Sequence, residues 1–210
     1  VDGRPIKAVG QPTKQGWIYT FDRITGKPVW PIEERPVEKG TVPGEWYSPT
    51  QPFVTKPPPF DRQGVAIDDL IDFTPALREE AVKLVSRYKI GPIFTPPVVS
   101  KWEGPLATLM LPNATGGANW QGGAFDPETK MFYIFTNTNI AAVGLIPGSE
   151  RPQKPSDMNY VRGQVVDPAN PKAPAVATTV QGLPLVKPPY GRISAIDLHK
   201  GEMLWQVAHG

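Results

Sequence analysis

The sequence has no cysteine and only two histidines in 210 residues. Disulfides, thiolate catalysis and cysteine-ligated zinc are thereby excluded. His199 falls in what reads as a tight turn and His209 at the end of the chain, so both are expected to be solvated. Long apolar runs are missing too. The longest, IAAVGLI at residues 140–146, falls far short of the ~18 residues that a membrane-crossing helix needs. Charge of one sign is scarce as well. Twenty-two Lys and Arg against 20 Asp and Glu leave a net of +2 with no basic run, which removes nucleic acid as a partner. There is no glycine-rich phosphate loop, no G-x-S-x-G elbow and no H-E-x-x-H pair. The amino end, VDGRPIKAVG, lacks a secretion-signal pattern and is expected to be internal sequence.

What is present points to strands and turns. Proline (27) and glycine (20) together stand well above their usual combined share of about 12%. Both weaken helix interiors, which excludes a helical bundle. Six Trp, six Tyr and eight Phe are too many for a disordered proline-rich polymer. Short strands joined by many turns and long irregular connections satisfy both facts.

An internal repeat organises the chain. Residues 16–30 (GWIYTFDRITGKPVW) align without gaps on residues 191–205 (GRISAIDLHKGEMLW), and Gly, Ile, Asp, Gly and Trp coincide. Each copy reads as strand, tight turn, strand. Asp22 and Asp197 are placed to cap turn amides with their carboxylates. Gly26 and Gly201 stand where such a turn needs positive φ, and each copy closes on a tryptophan, Trp30 or Trp205. Residues 123–135 (GAFDPETKMFYIF) form a degenerate copy in which Lys130 replaces the turn glycine. Three units with one grammar argue for a radial array of sheets in which each covers the next, the alternative being three unrelated hairpins that share turn chemistry.

Two excursions interrupt the array. Residues 44–60 are too proline-rich for a central strand, and they open an insertion, residues 44–100, that carries one helix. Thr74 is its N-cap, Pro75 opens it, and Leu77, Ala81, Leu84, Val85 and Tyr88 recur at helical spacing until Gly91-Pro92. Glu79 and Lys83 are spaced to pair along it. Asp68, Asp69 and Asp72 are expected to favour its positive end. The second excursion, residues 147–189, is proline-rich and without periodicity.

One segment differs from scaffold. TGGANWQGG at residues 115–123 sets four glycines around Asn119 and Trp120 just before a strand. Glycines there let the backbone approach another body closely, while Asn and Trp supply hydrogen bonds and a flat face. PTKQG at residues 12–16 is its counterpart before the first repeat and brings a single cation, Lys14.

The runs PTKQGWIYTFDRITGKPVWPIEE, GEWYSPTQPF, YKIGPIFTPP, GGANWQGGAFDPET and YGRISAIDLHKGEMLWQV, in this order, resemble the quinoprotein dehydrogenases. They are similar in particular to the membrane-bound glucose and polyol branch that uses pyrroloquinoline quinone (PQQ). The resemblance implies an all-β fold: about three blades of an eight-bladed propeller over residues 1–210, with the inserted helix and the proline-rich loops. It implies that Lys14 hydrogen-bonds the quinone oxygens, that Asn119 and Trp120 contact PQQ or shape its pocket, and that Trp30 and Trp205 dock blades. It also implies a calcium ion, with the catalytic aspartate and the calcium ligands preceding this segment and the remaining blades completing the ring. The parent would oxidise sugars, polyols or other alcohols by hydride transfer to PQQ and pass electrons to ubiquinone or cytochrome c. It would do so in the periplasm, with possible attachment to the inner membrane, and the segment alone would be inactive. The alternative is a cofactor-free propeller that serves as a binding module in outer-membrane protein assembly.

Overall fold

The computed structural model describes residues 1, 3–118, 122–152, 154–172 and 176–209. Its simplest unit is one turn used three times. After strand Ile18–Asp22, Asp22 Oδ1 accepts from the amides of Ile24 at 2.8 Å and Thr25 at 3.2 Å. After strand Gly191–Asp197, Asp197 Oδ1 accepts from the amides of His199 at 2.7 Å and Lys200 at 3.2 Å. Asp126, closing Gly123–Asp126, accepts from the Glu128 amide at 2.9 Å and from the Thr129 hydroxyl at 2.5 Å. These donors, the Thr129 hydroxyl foremost, hold its carboxyl below the ordinary aspartate range. All three turns end in left-handed backbone: φ is +72° at Gly26, +63° at Lys130 and +69° at Gly201. Lys130 adopts it at a cost of about 1–2 kcal/mol, so the turn geometry is kept even where the glycine is not.

The units do not occupy one sheet apiece. Met131–Asn137 pairs antiparallel with Gly191–Asp197, from Met131↔Asp197 to Asn137↔Gly191. With Gly123–Asp126 and Glu202–Ala208 outside them, these strands make one four-stranded sheet. The second and third units are therefore the two hairpins of a single sheet. Residues 138–190 leave it at one end and return there, and the Thr138 amide closes the mouth on the Tyr190 carbonyl at 2.8 Å. Local turn chemistry is the same in all three copies, but only register across this excursion decides which hairpins become neighbours.

The first unit pairs Ile18–Asp22 with Ala8–Pro12 and docks on the last one through Trp30. A Cβ built on Gly201 would meet Trp30 Cε2 and Cζ2 at 2.9 Å, so the indole lies against the bare turn. Trp205, its counterpart, is 44% exposed, as are neighbouring parts of the four-stranded sheet at Phe125, Leu204 and Val207. Ile32–Pro36 and Thr50–Val54 form a separate two-stranded ribbon, where both strands are edges and Pro52 costs no ladder bond to a further strand.

The α-helix spans Pro75–Val85, and Thr74 Oγ1 accepts from the Leu77 amide at 3.2 Å. It ends before Gly91-Pro92, because Gly91–Pro92 is already a short strand paired with Gly64–Val65. Leu77, Ala81, Val85 and Tyr88 pack into the larger core with Leu70, Ile71, Leu106 and Leu109. Glu79 and Lys83 form no ion pair among the described residues; Glu80 instead accepts from Gln181 at 2.8 Å. Of the three acidic residues only Asp68 pairs with the helix, through Arg78 at 3.9 Å; Asp69 caps the Ala66 amide at 2.8 Å and Asp72 pairs with Lys187 at 3.3 Å.

The second excursion is tied down. Val180, Leu185 and Val186 are buried in the same core, and Tyr88 Oη both accepts from the Ala177 amide at 2.9 Å and donates to its carbonyl at 3.1 Å. Burial pushes the Tyr88 phenol above its ordinary range, opposed by the Ala177 bond. Ala141–Pro147 forms the centre of the remaining larger sheet, flanked by Thr108–Met110, Val98–Val99 and Tyr160–Arg162. No helix among the described residues is long and apolar enough to cross a membrane.

Two turn glycines separate backbone strain from docking. At Gly26 nothing lies within 4 Å of a new Cβ, whereas at Gly201 the Trp30 indole occupies its place. Gly26→Ala is expected to lower stability by about 1–2 kcal/mol, and Gly201→Ala by roughly 1–3 kcal/mol more. Urea unfolding of the two variants checks this; equal losses would mean that Trp30 does not dock on the turn.

Candidate functional site

Lys14 is held at the tip of a tight loop. The Thr13 amide and hydroxyl both donate to the Trp17 carbonyl, at 2.9 and 3.0 Å, and the Gly16 amide donates back to the Thr13 carbonyl at 3.1 Å. Gly16 has φ +83°, which only glycine adopts cheaply. The loop leaves Lys14 exposed, with Nζ donating to the Ala114 carbonyl at 3.3 Å. The glycine-rich segment comes up against it: a Cβ on Gly116 would meet Lys14 Cγ at 2.8 Å. Lys14 and the start of that segment are thus brought together. Asn119 and Trp120 lie outside the described residues.

Beside Lys14 is a cavity of about 200 Å³, lined by Gln15, Phe94, Thr95, Leu111 and Pro112 among others. Phe94 has φ +69°, an outlier for a bulky side chain. Such strain persists only where the surroundings impose it, and here aromatic packing does. The Phe94 ring lies 6.0 Å from Trp17 and 5.5 Å from Phe53, and Trp17 meets Phe53 edge-on at 5.4 Å. Arg35 caps the cluster with its guanidinium 5.0 Å above Phe53. Three separate runs of sequence, those of GWIYTFDR, TQPF and IFTPP, therefore converge on Phe94, which lines the Lys14 cavity.

Behind this wall sits a buried charge pair. Asp61, with its side chain fully buried, meets Arg192 Nη1 at 2.8 Å, and the Arg192 side chain is 7% exposed. Asp61 Oδ1 also accepts from the Thr138 hydroxyl at 2.8 Å and the Arg62 amide at 2.8 Å, while Arg192 donates to Thr138 as well. Burial pulls the Arg192 guanidinium below its ordinary range, the Asp61 charge raises it again, and Arg62 lowers it. Asp61 Oδ2 has no hydrogen-bond partner among the described residues. It occupies the space where a Gly117 side chain would be, and Gly16 approaches Asp61 Cβ to within 3.4 Å of a built Cβ. Of the four glycines expected to permit a close approach, Gly116 and Gly117 approach Lys14 and Asp61, whereas Gly122 has nothing within 4 Å of a built Cβ and Gly123 lies against Phe132.

Sequence reasoning missed Asp61, Phe94 and Arg192. For Arg192 a signal exists: the repeat sets it opposite Trp17, which is 3% exposed, so a cation stands at a buried strand position and requires a buried anion. Asp61 and Phe94 lie in proline-rich stretches with no local pattern. His199 is exposed, as expected, and lines the rim of a larger cavity of about 580 Å³ between the first and last units, together with Arg4 and Lys130. That cavity lies among turns and contains none of the residues gathered around Lys14. Among the described residues, no three His, Asp or Glu side chains come together to hold a metal ion.

Over residues 1–210 the chain matches the family model described as "PQQ: Glucose/ethanol/alcohol dehydrogenase, beta-propeller domain". It is 31% identical to the glycerol dehydrogenase large subunit of Gluconobacter oxydans (strain 621H), matching 98% of this chain and 29% of that protein. It is 29% identical to the quinate/shikimate dehydrogenase (quinone) of Acinetobacter baylyi, over 100% of this chain and 26% of that one. Identity to the quinoprotein glucose dehydrogenase of Escherichia coli (strain K12) is 28%, over 100% of this chain and 26% of the relative. A europium-containing methanol dehydrogenase aligns in structure with TM-score 0.46 at 18% identity, covering 99% of this chain and 26% of that one. The chain thus spans less than a third of the length of these relatives.

The buried pair makes a quantitative test of the frame. Arg192→Met leaves the Asp61 carboxylate buried without its counter-ion and is expected to cost about 3–5 kcal/mol. Asp61→Asn combined with Arg192→Met removes both charges and is expected to recover most of that loss. Denaturant unfolding of the single and double variants checks it; a double variant no more stable than Arg192→Met would contradict the pairing.

Proposed function

Because the chain belongs to the PQQ glucose/ethanol/alcohol dehydrogenase β-propeller family, we propose that it supplies part of the cofactor pocket of a dehydrogenase that oxidises sugars, polyols or other alcohols. The observation that carries this reading is the exposed Lys14 ammonium, placed between the glycine-rich segment and an aromatic-walled cavity. The names of its relatives, as glycerol, quinate and glucose dehydrogenases, support this reading.

The residues fit one edge of the cofactor. PQQ is a flat, polycarboxylated o-quinone, and when bound it supplies a two-electron acceptor for the hydride of an alcohol carbon. Such a ligand calls for a cation at its oxygens and flat apolar contact beside it. Lys14 provides the cation, and its one hydrogen bond at Nζ among the described residues, 3.3 Å to a backbone carbonyl, is weak enough to exchange for a quinone oxygen. An ammonium fixed there opposes negative charge on those oxygens, the kind of preorganised stabilisation that contributes most in a water-poor site. The Phe94 wall excludes water from one side. Asn119 and Trp120, next along the segment from Gly117, complete the proposed contacts. Calcium would be held by residues other than those described here, and electrons would pass to ubiquinone or a cytochrome c in the periplasm. Further blades would cover the exposed sheet face around Trp205.

The test uses the full-length protein that carries this chain, reconstituted with PQQ and calcium and assayed by dye reduction with glucose, glycerol and other alcohols. Turnover is expected there and not from the 210-residue chain alone. Lys14→Ala is expected to reduce turnover on the order of a hundredfold, the usual effect of losing one preorganised donor, without lowering the melting temperature. Unchanged turnover in that variant removes Lys14 from the site. Absence of both dye reduction and any PQQ absorbance change in the parent would favour the cofactor-free binding module.

A further inference from the structure

Residues 60–63 bond to several segments around the Lys14 loop. The Phe60 amide donates to the Gly16 carbonyl at 2.8 Å, and the Phe60 carbonyl accepts from Gln206 at 3.0 Å. Asp61 takes Arg192 and Thr138, as described above. The Arg62 guanidinium donates to the carbonyls of Lys187 at 2.8 Å and Pro188 at 2.7 Å. Gln63 Nε2 donates to the Gln15 carbonyl, next in chain to Lys14, at 2.8 Å. One short stretch thereby joins the Lys14 loop to the last strand of the four-stranded sheet and to both ends of the connection formed by residues 138–190.

Asp61 is the anomalous member. Its two carboxylate oxygens are used unequally: Oδ1 accepts three donors and Oδ2 none among the described residues, although both are removed from water. A buried acceptor left bare is costly and requires a reason. The three donors on Oδ1 fix the carboxylate plane, and the fixed Oδ2 then stands against Gly117. Gly117 is anchored from its other side, its carbonyl accepting from the Asn137 amide at 2.8 Å. The next residue back, Gly116, rests on the Lys14 side chain. A contact path runs from Arg192 through Asp61, Gly117 and Gly116 to Lys14, with a second from Gln63 through Gln15. Neither glycine of the first path can gain a methyl group without displacing its neighbour, since a Cβ at either one collides.

We propose that Asp61, clamped by Arg192 and Thr138, is a positioning residue that sets where the Lys14 ammonium stands. This rests on the reading that Lys14 binds the quinone. Asp61 touches neither the cavity nor the solvent, so it acts only through the segment it presses on. Lys14 itself is exposed and makes a single weak side-chain hydrogen bond among the described residues, so its position comes from the backbone around it. A lysine without such support would sample many rotamers and lose binding free energy on ordering.

A double-mutant cycle on cofactor affinity tests the proposal, in the full-length protein, by titrating apoprotein with PQQ and following its absorbance. Melting curves run in parallel, and affinities are compared only below the transition of each variant. Asp61→Asn is expected to weaken PQQ binding about tenfold, by analogy with partners that orient a directly bonding group. In the Lys14→Ala background the same change is expected to add nothing, because the residue it positions is gone. A purely structural Asp61 would lower the melting temperature and leave the affinity of folded protein unchanged, which overturns the proposal; multiplicative losses in the double variant overturn it equally. If Asp61→Asn shows no cooperative melt, Thr138→Val is read in the same cycle. It removes one donor to Oδ1 but keeps the ion pair, and an affinity equal to the parent's counts against the proposal. Lys14→Ala binding PQQ as well as the parent would overturn the Lys14 assignment and this one together. Loss in Lys14→Ala with none in folded Asp61→Asn overturns this one alone.

Discussion

The arrangement depends on one buried contact between residues distant in sequence, Asp61 and Arg192. Removing two charges from water is expensive, and the attraction between them in a low-dielectric interior roughly compensates that cost without adding much net stability. Its consequence is discrimination. A carboxylate in this place is tolerable only when the guanidinium and the Thr138 hydroxyl are both in reach, so alternative registers of Gly191–Asp197 against Met131–Asn137 strand a charge. A one-residue slip would also turn Arg192 to the opposite face of its strand. The pair therefore selects the register of the sheet and, through Gly117 and Gly16, the approach of the two loops in front of it.

What the sequence reveals is the chemistry that is complete within a few residues. The three aspartate turns are such a case: carboxylate, two amides and one left-handed residue all fall within five positions, so the copies at Asp22, Asp126 and Asp197 are recognisable even with Lys130 in place of glycine. The helix is another, since its cap and its apolar stripe are local. Its end is not, because the Gly91–Pro92 pairing with Gly64–Val65 that follows it is decided by tertiary contact. Neither is the grouping of hairpins into sheets. The repeat sees two equal hairpins at 123–135 and 191–205, and nothing within either copy specifies that they flank one another across residues 138–190.

The site shows the same division. Lys14 stands out because a lone cation beside glycines at a strand mouth is a local pattern, and the structure does bring it to the glycine-rich segment. Phe94 does not stand out, because its importance lies in a backbone angle that no propensity favours. A phenylalanine at φ +69° is held there by Trp17 and Phe53, which reach it from other parts of the chain. Aromatic contacts of this kind contribute about 0.5–1.5 kcal/mol each beyond burial, comparable with the 1–3 kcal/mol of such strain. Packing and strain nearly balance, so the ring is presented to the cavity at little net cost.

In the roles proposed for them, Lys14 and Asp61 illustrate why a ligand-binding group and the group that places it differ so much in environment. An ammonium meant to meet an anionic ligand must stay hydrated until the ligand arrives, since burying it unpaired would neutralise it or unfold the loop. It must therefore lie at the surface, where its own contacts are too weak to locate it. Precision has to come from groups that are buried, where a misplaced atom costs free energy, and it has to be transmitted by elements that cannot comply. Bare glycine backbone in van der Waals contact on both sides is such an element: it has no rotamers in which to absorb a displacement. The glycines at 116 and 117 are thus the mechanical link between a dry carboxylate and a wet lysine, and the same residues that look like flexibility in the sequence act as rigidity in the fold.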